Sequence, residues 1–248
     1  MTTTGPTPAD EGLTEPTFDP TTDYWQSIHT AESLPISPDP PYHRGYPARL
    51  PNNQFLILPL RGLPNDPHRC VASLIANQAS ISVVESLAQV MAQRSKPFSP
   101  DFVVGLPTLG LAFAPLVAKH LGHTRYIPFG YSRKYWYTNE LAIPVNSITT
   151  PEQGKLLFVD PNLAGMLKGK RVLVVDDAVS SGQTMAAALK LLERCEARIV
   201  GIAVAMRQGM RWKDVLVDEE GKEIPLAWVF DSPRMVWRDG GWYPEPLN

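Results

Sequence analysis

The chain has 248 residues, of which 44% are hydrophobic, so it is long enough to bury a full core and is expected to form one domain with appendages. Its formal net charge of -2 does not indicate binding to nucleic acid, no apolar run approaches the roughly 18 residues that span a bilayer, and its first residues do not resemble a signal peptide. We therefore expect a cytoplasmic protein without a membrane partner, whose two cysteines, Cys70 and Cys195, are reduced and buried.

The first 51 residues differ in composition from the rest of the chain. They hold ten of the 25 prolines, nine threonines, seven acidic residues and two basic residues. Such a composition buries little apolar surface, which predicts a partly disordered leader whose residues 1–40 are dispensable for activity. Its aromatic and basic patch at residues 41–50 either docks on the body as a strand or forms part of a hood over a ligand-binding site. The remaining body has 21 basic and 18 acidic residues, which suits an anionic substrate.

Between residues 54 and 100 the pattern predicts a strand and a packing helix. Residues 54–60, QFLILPL, have the composition of a strand, and residues 61–68 read as a loop rich in Gly, Pro, Asn and Asp. Residues 70–94 carry apolar side chains at helical spacing until residues 96–100 break the pattern. We assign no chemistry to this helix.

A second buried strand at residues 102–105 leads through the short turn LPTLG into a helix that ends at Gly122. Because the first N–H groups of a helix are unpaired and favour an anion, residues 106–110 are a candidate anion site. An ordinary connection between a strand and a helix is the alternative.

A third strand at residues 125–129 precedes a long segment without a regular pattern, residues 130–153, and residues 155–159 read as a returning strand. A loop of this length in a compact domain is either functional or disordered. Arg133 and Lys134, with aromatic neighbours, favour a functional loop. A solvated pair of cations on a strand is the alternative.

The stretch RVLVVDDAVSSGQT, residues 171–184, is the most informative part of the chain. Four apolar residues predict a strand buried on both faces, which delivers Asp176 and Asp177 to the carboxyl edge of a sheet, where α/β folds bind ligands. A turn of small residues with hydroxyl groups then opens a helix at Gln183, an arrangement that favours an anion. The stretch therefore predicts a phosphate in the turn and a polyol, such as a sugar, beside the acids.

The sequence does not match two other kinds of nucleotide-binding site. A P-loop ATPase needs G-x-x-x-x-G-K-[ST], and no Gly-Lys pair of this chain is followed by Ser or Thr. A Rossmann site needs G-x-G-x-x-G after a strand, which is also absent from the sequence. A structural strand that ends in two solvated acids remains as the alternative.

After the helix, residues 198–206 read as a buried strand, and a hairpin with Glu220 and Gly221 at its tip follows. The tail is rich in aromatic residues. The predicted division is a leader at 1–51, a core at 52–211 and a C-terminal tail at 212–248.

Residues 172–184, VLVVDDAVSSGQT, resemble the thirteen-residue signature of type I phosphoribosyltransferases. The resemblance implies that Asp176 and Asp177 hold the ribose hydroxyls of phosphoribosyl pyrophosphate (PRPP). It implies that the turn binds the 5′-phosphate of PRPP through Ala178, Val179, Ser180, Ser181, Gly182, Gln183 and Thr184.

A second stretch, VVGLPTLGLAFAPLVA, resembles the pyrophosphate loop and following helix of adenine phosphoribosyltransferases and their relatives. The resemblance implies that the pyrophosphate contacts are Leu106, Pro107, Thr108 and Leu109. It also makes residues 130–153 a mobile loop whose Arg133 and Lys134 act in catalysis. The base-binding candidates in a variable hood are Trp212, Trp228, Phe230 and Asp231.

The resemblance implies an α/β fold with a central, mostly parallel sheet flanked by helices, a small variable hood and a long mobile loop. It implies an Mg²⁺-dependent enzyme, with the metal at Asp176 and Asp177 through water, and a homodimer. The expected reaction transfers the phosphoribosyl group of PRPP to a nucleobase, a purine and first of all adenine, and releases pyrophosphate.

Two observations keep other functions open. Where adenine phosphoribosyltransferases commonly carry a glutamate before the signature strand, this chain offers Asp160 alone, so hypoxanthine, xanthine, orotate or a modified purine are alternative acceptors. A regulator that kept the PRPP site without catalysis is the alternative from another class. The absence of a helix-turn-helix pattern and of a basic stripe argues against a regulator that binds DNA.

Overall fold

The computed structural model describes residues 15–145, 155–218 and 220–245. In chain order the strands are β1 (Ile28–His29), β2 (Gly45–Arg49), β3 (Phe55–Leu63), β4 (Asp66–Ala72), β5 (Phe102–Gly105), β6 (Ile127–Pro128), β7 (Ala142–Val145), β8 (Lys155–Phe158), β9 (Arg171–Val179), β10 (Arg198–Gln208), β11 (Leu226–Ser232), β12 (Arg234–Arg238) and β13 (Gly241–Pro244). The α-helices are α1 (Ile81–Ser95), α2 (Gly110–His120), α3 (Pro161–Ala164) and α4 (Gln183–Arg194). Short 3₁₀ turns lie at Pro51–Asn53, Ala76–Gln78 and Lys96–Phe98.

The core is a five-stranded sheet in the order β11-β10-β9-β5-β6, and each neighbouring pair in it is parallel. Its side chains alternate between two apolar layers, with Leu173 and Val175 in one and Val172 and Val174 in the other. Both faces are covered because α1 and α2 contribute to the first layer and α4 to the second. This arrangement confirms the predicted α/β class with a central parallel sheet flanked by helices.

A second sheet, which we call the antiparallel sheet, joins strands from both ends of the chain. Its order is β1-β3-β4-β12-β13, and β2 pairs with β3. The patch at residues 41–50 thus contains a docked strand, β2. Leader and tail meet in one apolar layer, where Trp25 and Trp242 are buried. The leader is therefore part of the fold from Trp25 onward, whereas residues 1–14 lie outside the described residues.

Two predicted elements between residues 61 and 94 are wrong in their extent. Residues 61–68 are not a long loop, because β3 and β4 form a hairpin that turns at residues 64 and 65. The helix expected from residue 70 begins at Ile81 instead, where the Ser80 hydroxyl accepts a hydrogen bond from the Val83 N–H and caps it. Cys70 and its neighbours belong to β4, where buried and more exposed side chains alternate. This alternation resembles helical spacing over so short a segment.

The predicted hairpin after residue 211 is shorter than expected. Val217 and Glu223 form an antiparallel bridge around the predicted tip, where Gly221 has a φ of 78°. The following strand, β11, runs parallel to β10 as an edge of the core sheet. Residues 226–232 thus extend the core sheet beyond the predicted boundary at residue 211.

Cys70 and Cys195 are free and buried, as predicted. Burial raises the pKa of the Cys70 thiol to about 12 and also raises the pKa of Cys195. Across the three described ranges, no helix combines the length and the apolar character needed to cross a membrane.

Candidate active site

Asp176 and Asp177 lie where β9 runs past the end of its neighbour β5. Gly105, the last residue of β5, pairs with Val175, so the next two residues of β9 reach the start of α2. The Asp176 carboxylate is buried and accepts hydrogen bonds from its neighbours: the Asp177 N–H donates to its Oδ1 at 2.9 Å, and the Gly110 N–H also donates to it. A Cβ on Gly110 would lie 2.7 Å from that Oδ1, so this approach requires glycine.

The two acids form a pair in which Asp176 is buried and Asp177 is half-buried. Burial, followed by the charge of Asp177, raises the pKa of Asp176 well above its ordinary value. Burial also raises the pKa of Asp177, although hydrogen bonds from Asp176 and the backbone oppose the shift. Within the described residues neither acid forms an ion pair with a lysine, arginine or histidine. Hydroxyl donors or a cation would therefore stabilise the ionised pair.

The turn between β9 and α4 is built around Gly182, which is buried and has a φ of 79°. A Cβ there would lie 3.3 Å from the Trp212 Cα, so the segment after β10 packs directly against the turn. No side chain in the described part of the protein caps the start of α4, which leaves its first backbone N–H groups as donors for an anion. The turn thus has the donors and the open backbone that an anion needs.

The candidate pyrophosphate loop lies between β5 and α2, next to the acids. Leu106 is fully buried and its N–H donates to the Val175 carbonyl, so this amide is committed to the sheet. Pro107 has no N–H, and the peptide bond to Thr108 is cis. The backbone donors left in this loop are those of Thr108, which is exposed, and Leu109.

The segment after β6 begins beside the acids. Burial, and then the charges of Asp176 and Asp177, raise the pKa of Tyr131. Arg133 and Lys134 are exposed, and an Arg133 Nη2 donates to the Tyr137 carbonyl at 3.5 Å. The predicted loop over residues 130–153 is wrong in part, because residues 142–145 form β7 and pair with β8. Residues 146–154 lie outside the described residues.

Asp160 has a clear structural use. Its Oδ1 accepts from the Asn162 N–H at 2.9 Å and caps α3, while its Oδ2 accepts from the Trp136 indole N–H at 3.2 Å. The acid before the signature strand therefore ties the cationic segment to the body.

The four base-binding candidates occupy different environments. Trp212 and Phe230 are each 2% exposed, so neither offers an open ring face to a ligand. The Trp228 ring is covered by the Arg207 guanidinium, whose central carbon lies 3.7 Å from the ring centroid. Arg207 also forms a 2.6 Å ion pair with Asp231. Trp212 and Phe230 thus support the site from within the core.

Sequence reasoning missed residues at the carboxyl ends of β10 and β11. Gln208 and Ser232, which are register partners, both donate to the carbonyl of Ala72 at the end of β4. Tyr46 of β2 lies near enough to Asp231 for that charge to raise its pKa, after the larger effect of burial. Their position at the ends of two predicted strand segments was the available sequence signal, because the last residues of parallel strands lie together at one edge of the sheet.

Comparison with known proteins assigns residues 71–232 to the phosphoribosyl transferase domain. The chain is 32% identical over 124 residues to the hypoxanthine/guanine phosphoribosyltransferase of Methanothermococcus okinawensis, covering 50% of this chain and 62% of that protein. It is 36% identical over 131 residues to the enzyme of the same name from Methanocella arvoryzae, covering 53% and 63%. It is 27% identical over 149 residues to the adenine phosphoribosyltransferase of Trichodesmium erythraeum, covering 58% and 82%. The chain thus spans less than two thirds of the length of the two hypoxanthine/guanine relatives.

Solved structures with the same fold include two adenine phosphoribosyltransferases. The enzyme from Thermoanaerobacter pseudethanolicus superimposes with a TM-score of 0.55 at 17% identity, covering 69% of this chain and 94% of that one. The enzyme from Rhodothermus marinus gives a TM-score of 0.51 at 18% identity, covering 69% and 93%. These similarities support the fold assignment.

Proposed function

Since the chain belongs to the phosphoribosyl transferase family, we propose that it transfers the 5-phosphoribosyl group of PRPP to a nitrogen of a purine base and releases pyrophosphate. One observation carries the proposal. A buried and a half-buried acid, without a cationic partner among the described residues, are followed directly by a glycine turn at a helix start, on the carboxyl edge of a parallel sheet. This edge joins acceptors for sugar hydroxyls to donors for a phosphate.

In the proposed complex, Asp176 and Asp177 accept hydrogen bonds from the ribose hydroxyls. Such donors favour the ionised acids, whose pKa values burial raises in the free protein. The backbone N–H groups at the start of α4 bind the 5′-phosphate. This contact is remote from the reacting carbon, so its binding energy fixes the position of C1 for attack by the base.

In the reaction the bond from C1 to the pyrophosphate oxygen breaks and a bond from a base nitrogen to C1 forms. Negative charge grows on the leaving pyrophosphate through an oxocarbenium-like state. The Thr108 and Leu109 amides directly precede Gly110, whose N–H donates to Asp176, and Arg133 and Lys134 are exposed cations of the segment after β6. We propose that these groups stabilise the leaving group, with the cations brought in by closure of their segment, which also excludes water.

The family resemblance implies Mg²⁺, and the two acids fit this ion because it prefers carboxylate oxygens and retains water ligands. Within the described residues, no group of three or more His, Cys, Asp or Glu side chains could hold a metal. The remaining ligands would therefore be substrate and water oxygens. A bound Mg²⁺ would offset the negative charge of the acids and of the pyrophosphate.

The identity of the purine is a further part of the proposal. The relatives named above act, by their names, on hypoxanthine and guanine or on adenine. We therefore extend the first expectation of adenine to the 6-oxopurines. We further propose a homodimer and a cytoplasmic location, to be tested by light scattering and by cell fractionation.

The test is calorimetric titration of the full chain with PRPP and Mg²⁺, followed by a pyrophosphate-release assay across adenine, hypoxanthine, guanine, xanthine and orotate. We expect binding, and release with at least one purine. Binding without release for any base would favour the PRPP-binding regulator. No binding of PRPP would overturn the proposal.

A further inference from the structure

Gln208 connects the turn between β9 and α4, residues 180–182, which we call the phosphate turn after its proposed ligand, to the antiparallel sheet. It is the last residue of β10, and its Oε1 accepts a hydrogen bond from the Ser180 hydroxyl at 3.2 Å. Its Nε2 donates to the Ala72 carbonyl, which ends β4, at 3.4 Å. The buried Ser232 hydroxyl donates to the same carbonyl at 3.1 Å. One backbone carbonyl of the antiparallel sheet is thus tied to the ends of two core strands.

The direction of these bonds is determined by chemistry. A backbone carbonyl can only accept, so the amide nitrogen of Gln208 must face Ala72 and its oxygen must face Ser180. That oxygen can also only accept, so the Ser180 hydroxyl must be the donor. The single proton of the Ser180 hydroxyl is therefore directed at Gln208 and away from an incoming phosphate.

The turn has other donors for a phosphate. The first N–H groups of α4 carry no side-chain cap, and phosphate oxygens accept from backbone N–H groups at helix starts. The Ser180 hydroxyl is consequently not needed as a phosphate donor. Its bond to Gln208 instead limits the freedom of an exposed residue between Val179 and Gly182, the latter in the left-handed region.

We propose that Gln208 is a positioning residue that retains the Ser180 proton in the complex and so preorganises the backbone of the phosphate turn for the 5′-phosphate of PRPP. This inference rests on the proposed function. It also assigns a role to the antiparallel sheet, because the carbonyl of Ala72 determines which way the Gln208 amide faces. Preorganisation raises affinity because less conformational freedom is lost when the ligand binds.

The test compares the dissociation constant of PRPP with Mg²⁺ for the wild-type protein and five variants of the full chain. Gln208→Met removes both hydrogen bonds of Gln208 and keeps a side chain of similar length. Ser180→Ala removes only the hydrogen bond between Ser180 and Gln208. We expect each to weaken PRPP binding about five-fold, the loss of one typical hydrogen bond. The double variant should bind no more weakly than Gln208→Met alone, because the bond that Ser180→Ala removes is already absent from that variant. Ser180→Thr keeps the hydroxyl and should bind PRPP more tightly than Ser180→Ala does.

Ser232→Ala is the matched control, because it removes the second hydrogen bond to the Ala72 carbonyl and leaves the hydrogen bond between Ser180 and Gln208 in place. We expect it to lower the melting temperature slightly and to weaken PRPP binding less than Gln208→Met does, because the hydrogen bond between Gln208 and Ser180 remains. Ser180→Ala changes an exposed residue, so it keeps the test valid if Gln208→Met fails to fold.

Three results would overturn the inference. Tighter binding by Gln208→Met would mean that Gln208 competes with the phosphate for the Ser180 proton. Unchanged binding by Gln208→Met and Ser180→Ala, or additive losses in the double variant, would mean that the two residues do not act together. If the wild-type protein binds no PRPP, the proposed function itself fails, which is a separate and distinguishable outcome.

Discussion

At the scale of single residues, Asp176 combines a proposed role in binding with a cost in stability. Its raised pKa means that the Asp176 carboxyl group binds its proton more tightly in the folded protein than in the unfolded chain. Folding stability therefore falls as pH rises from the unfolded-state pKa, about 3.9, to the folded-state pKa. Burial of the Asp176 carboxyl group thus lowers the folding stability at neutral pH.

Asp176→Asn should stabilise the folded protein. The amide keeps the shape, its oxygen still accepts from the Asp177 N–H, and no buried charge remains. We expect a higher urea midpoint than wild type at about pH 8 and a gain that shrinks toward about pH 4, where the wild-type acid is protonated. Urea unfolding at both pH values measures this, and a gain that does not depend on pH would contradict it.

Asp101 provides a control because its pKa is shifted in the opposite direction from that of Asp176. It is an exposed acid at the start of β5, and its hydrogen bonds with Arg171 lower its pKa. A lowered pKa adds stability above the unfolded-state pKa, and this stability is lost as pH falls through the folded-state pKa. Asp101→Asn should therefore be slightly destabilising at neutral pH and neutral in acid.

Asp177→Asn should impair catalysis without unfolding the protein. The carboxylate that would accept a ribose hydroxyl is replaced by an amide of the same size, whose nitrogen cannot accept. We expect kcat/KM for phosphoribosyl transfer to fall by about 100-fold or more, as for the loss of one preorganised polar contact. Steady-state kinetics measure the effect, with Asp101→Asn as a control distant from the site. A variant with wild-type turnover and affinity would remove the ribose-holding role.

At the scale of elements, the segment between β6 and β7 is held in the free protein by a few polar contacts. The Trp136 indole donates to Asp160, while Tyr135 is 98% exposed beside it. The neighbouring cations Arg133 and Lys134 are accessible to trypsin in this state. We expect PRPP with Mg²⁺ to slow cleavage at both residues, because a closed segment would cover them. Cleavage at equal rates with and without ligand would contradict closure.

The leader from Trp25 onward is an element of the fold, although its composition predicted a dispensable segment. Trp25 is 2% exposed, its indole donates to the Ser73 carbonyl at 2.9 Å, and its own carbonyl accepts from the Ser80 N–H. Trp25→Ala should lower the free energy of unfolding by about 3–5 kcal/mol, measured by urea unfolding. Deletion of residues 1–40 should be at least as damaging. A stable deletion variant with full activity would restore the original prediction.

The elements that the sequence predicted well share a local cause. The strand before Asp176 and the helix after Gly182 follow from one continuous apolar run and one glycine turn. Residues 70–72, which belong to β4, were assigned to a helix because two turns of helical spacing and a short alternating strand look alike in a single window. The Ser80 cap, three residues from its partner Val83, was the local signal that could have corrected the helix start.

At the scale of the whole molecule, the antiparallel sheet could not be predicted, because it pairs residues from opposite ends of the chain. Arg234 of β12 lies beside Val71 of β4, and Tyr42 lies beside Trp242. A local pattern contains no information on such partners. For the same reason Ala72 and Gln208, which are far apart in sequence, were not recognised as neighbours of the phosphate turn.

This long-range arrangement links Trp25 to the phosphate turn. The Trp25 indole holds the carbonyl of Ser73, and the adjacent carbonyl, that of Ala72, holds the Gln208 amide against Ser180. Trp25→Phe keeps most of the buried ring but loses the indole N–H. We expect it to fold, and to weaken PRPP binding about two- to five-fold by releasing residues 72 and 73.

Calorimetric titration of Trp25→Phe with PRPP and Mg²⁺ measures this effect, and Trp242→Phe is the matched control. Trp242 is also buried in the antiparallel sheet, but its indole nitrogen has no hydrogen-bond partner in the described structure, so its loss removes no tie to the turn. We expect the control to retain wild-type affinity. Equal effects of the two substitutions would mean that the sheet acts on the turn through packing alone, whereas an effect confined to Trp25 would require the hydrogen-bonded connection through Ser73.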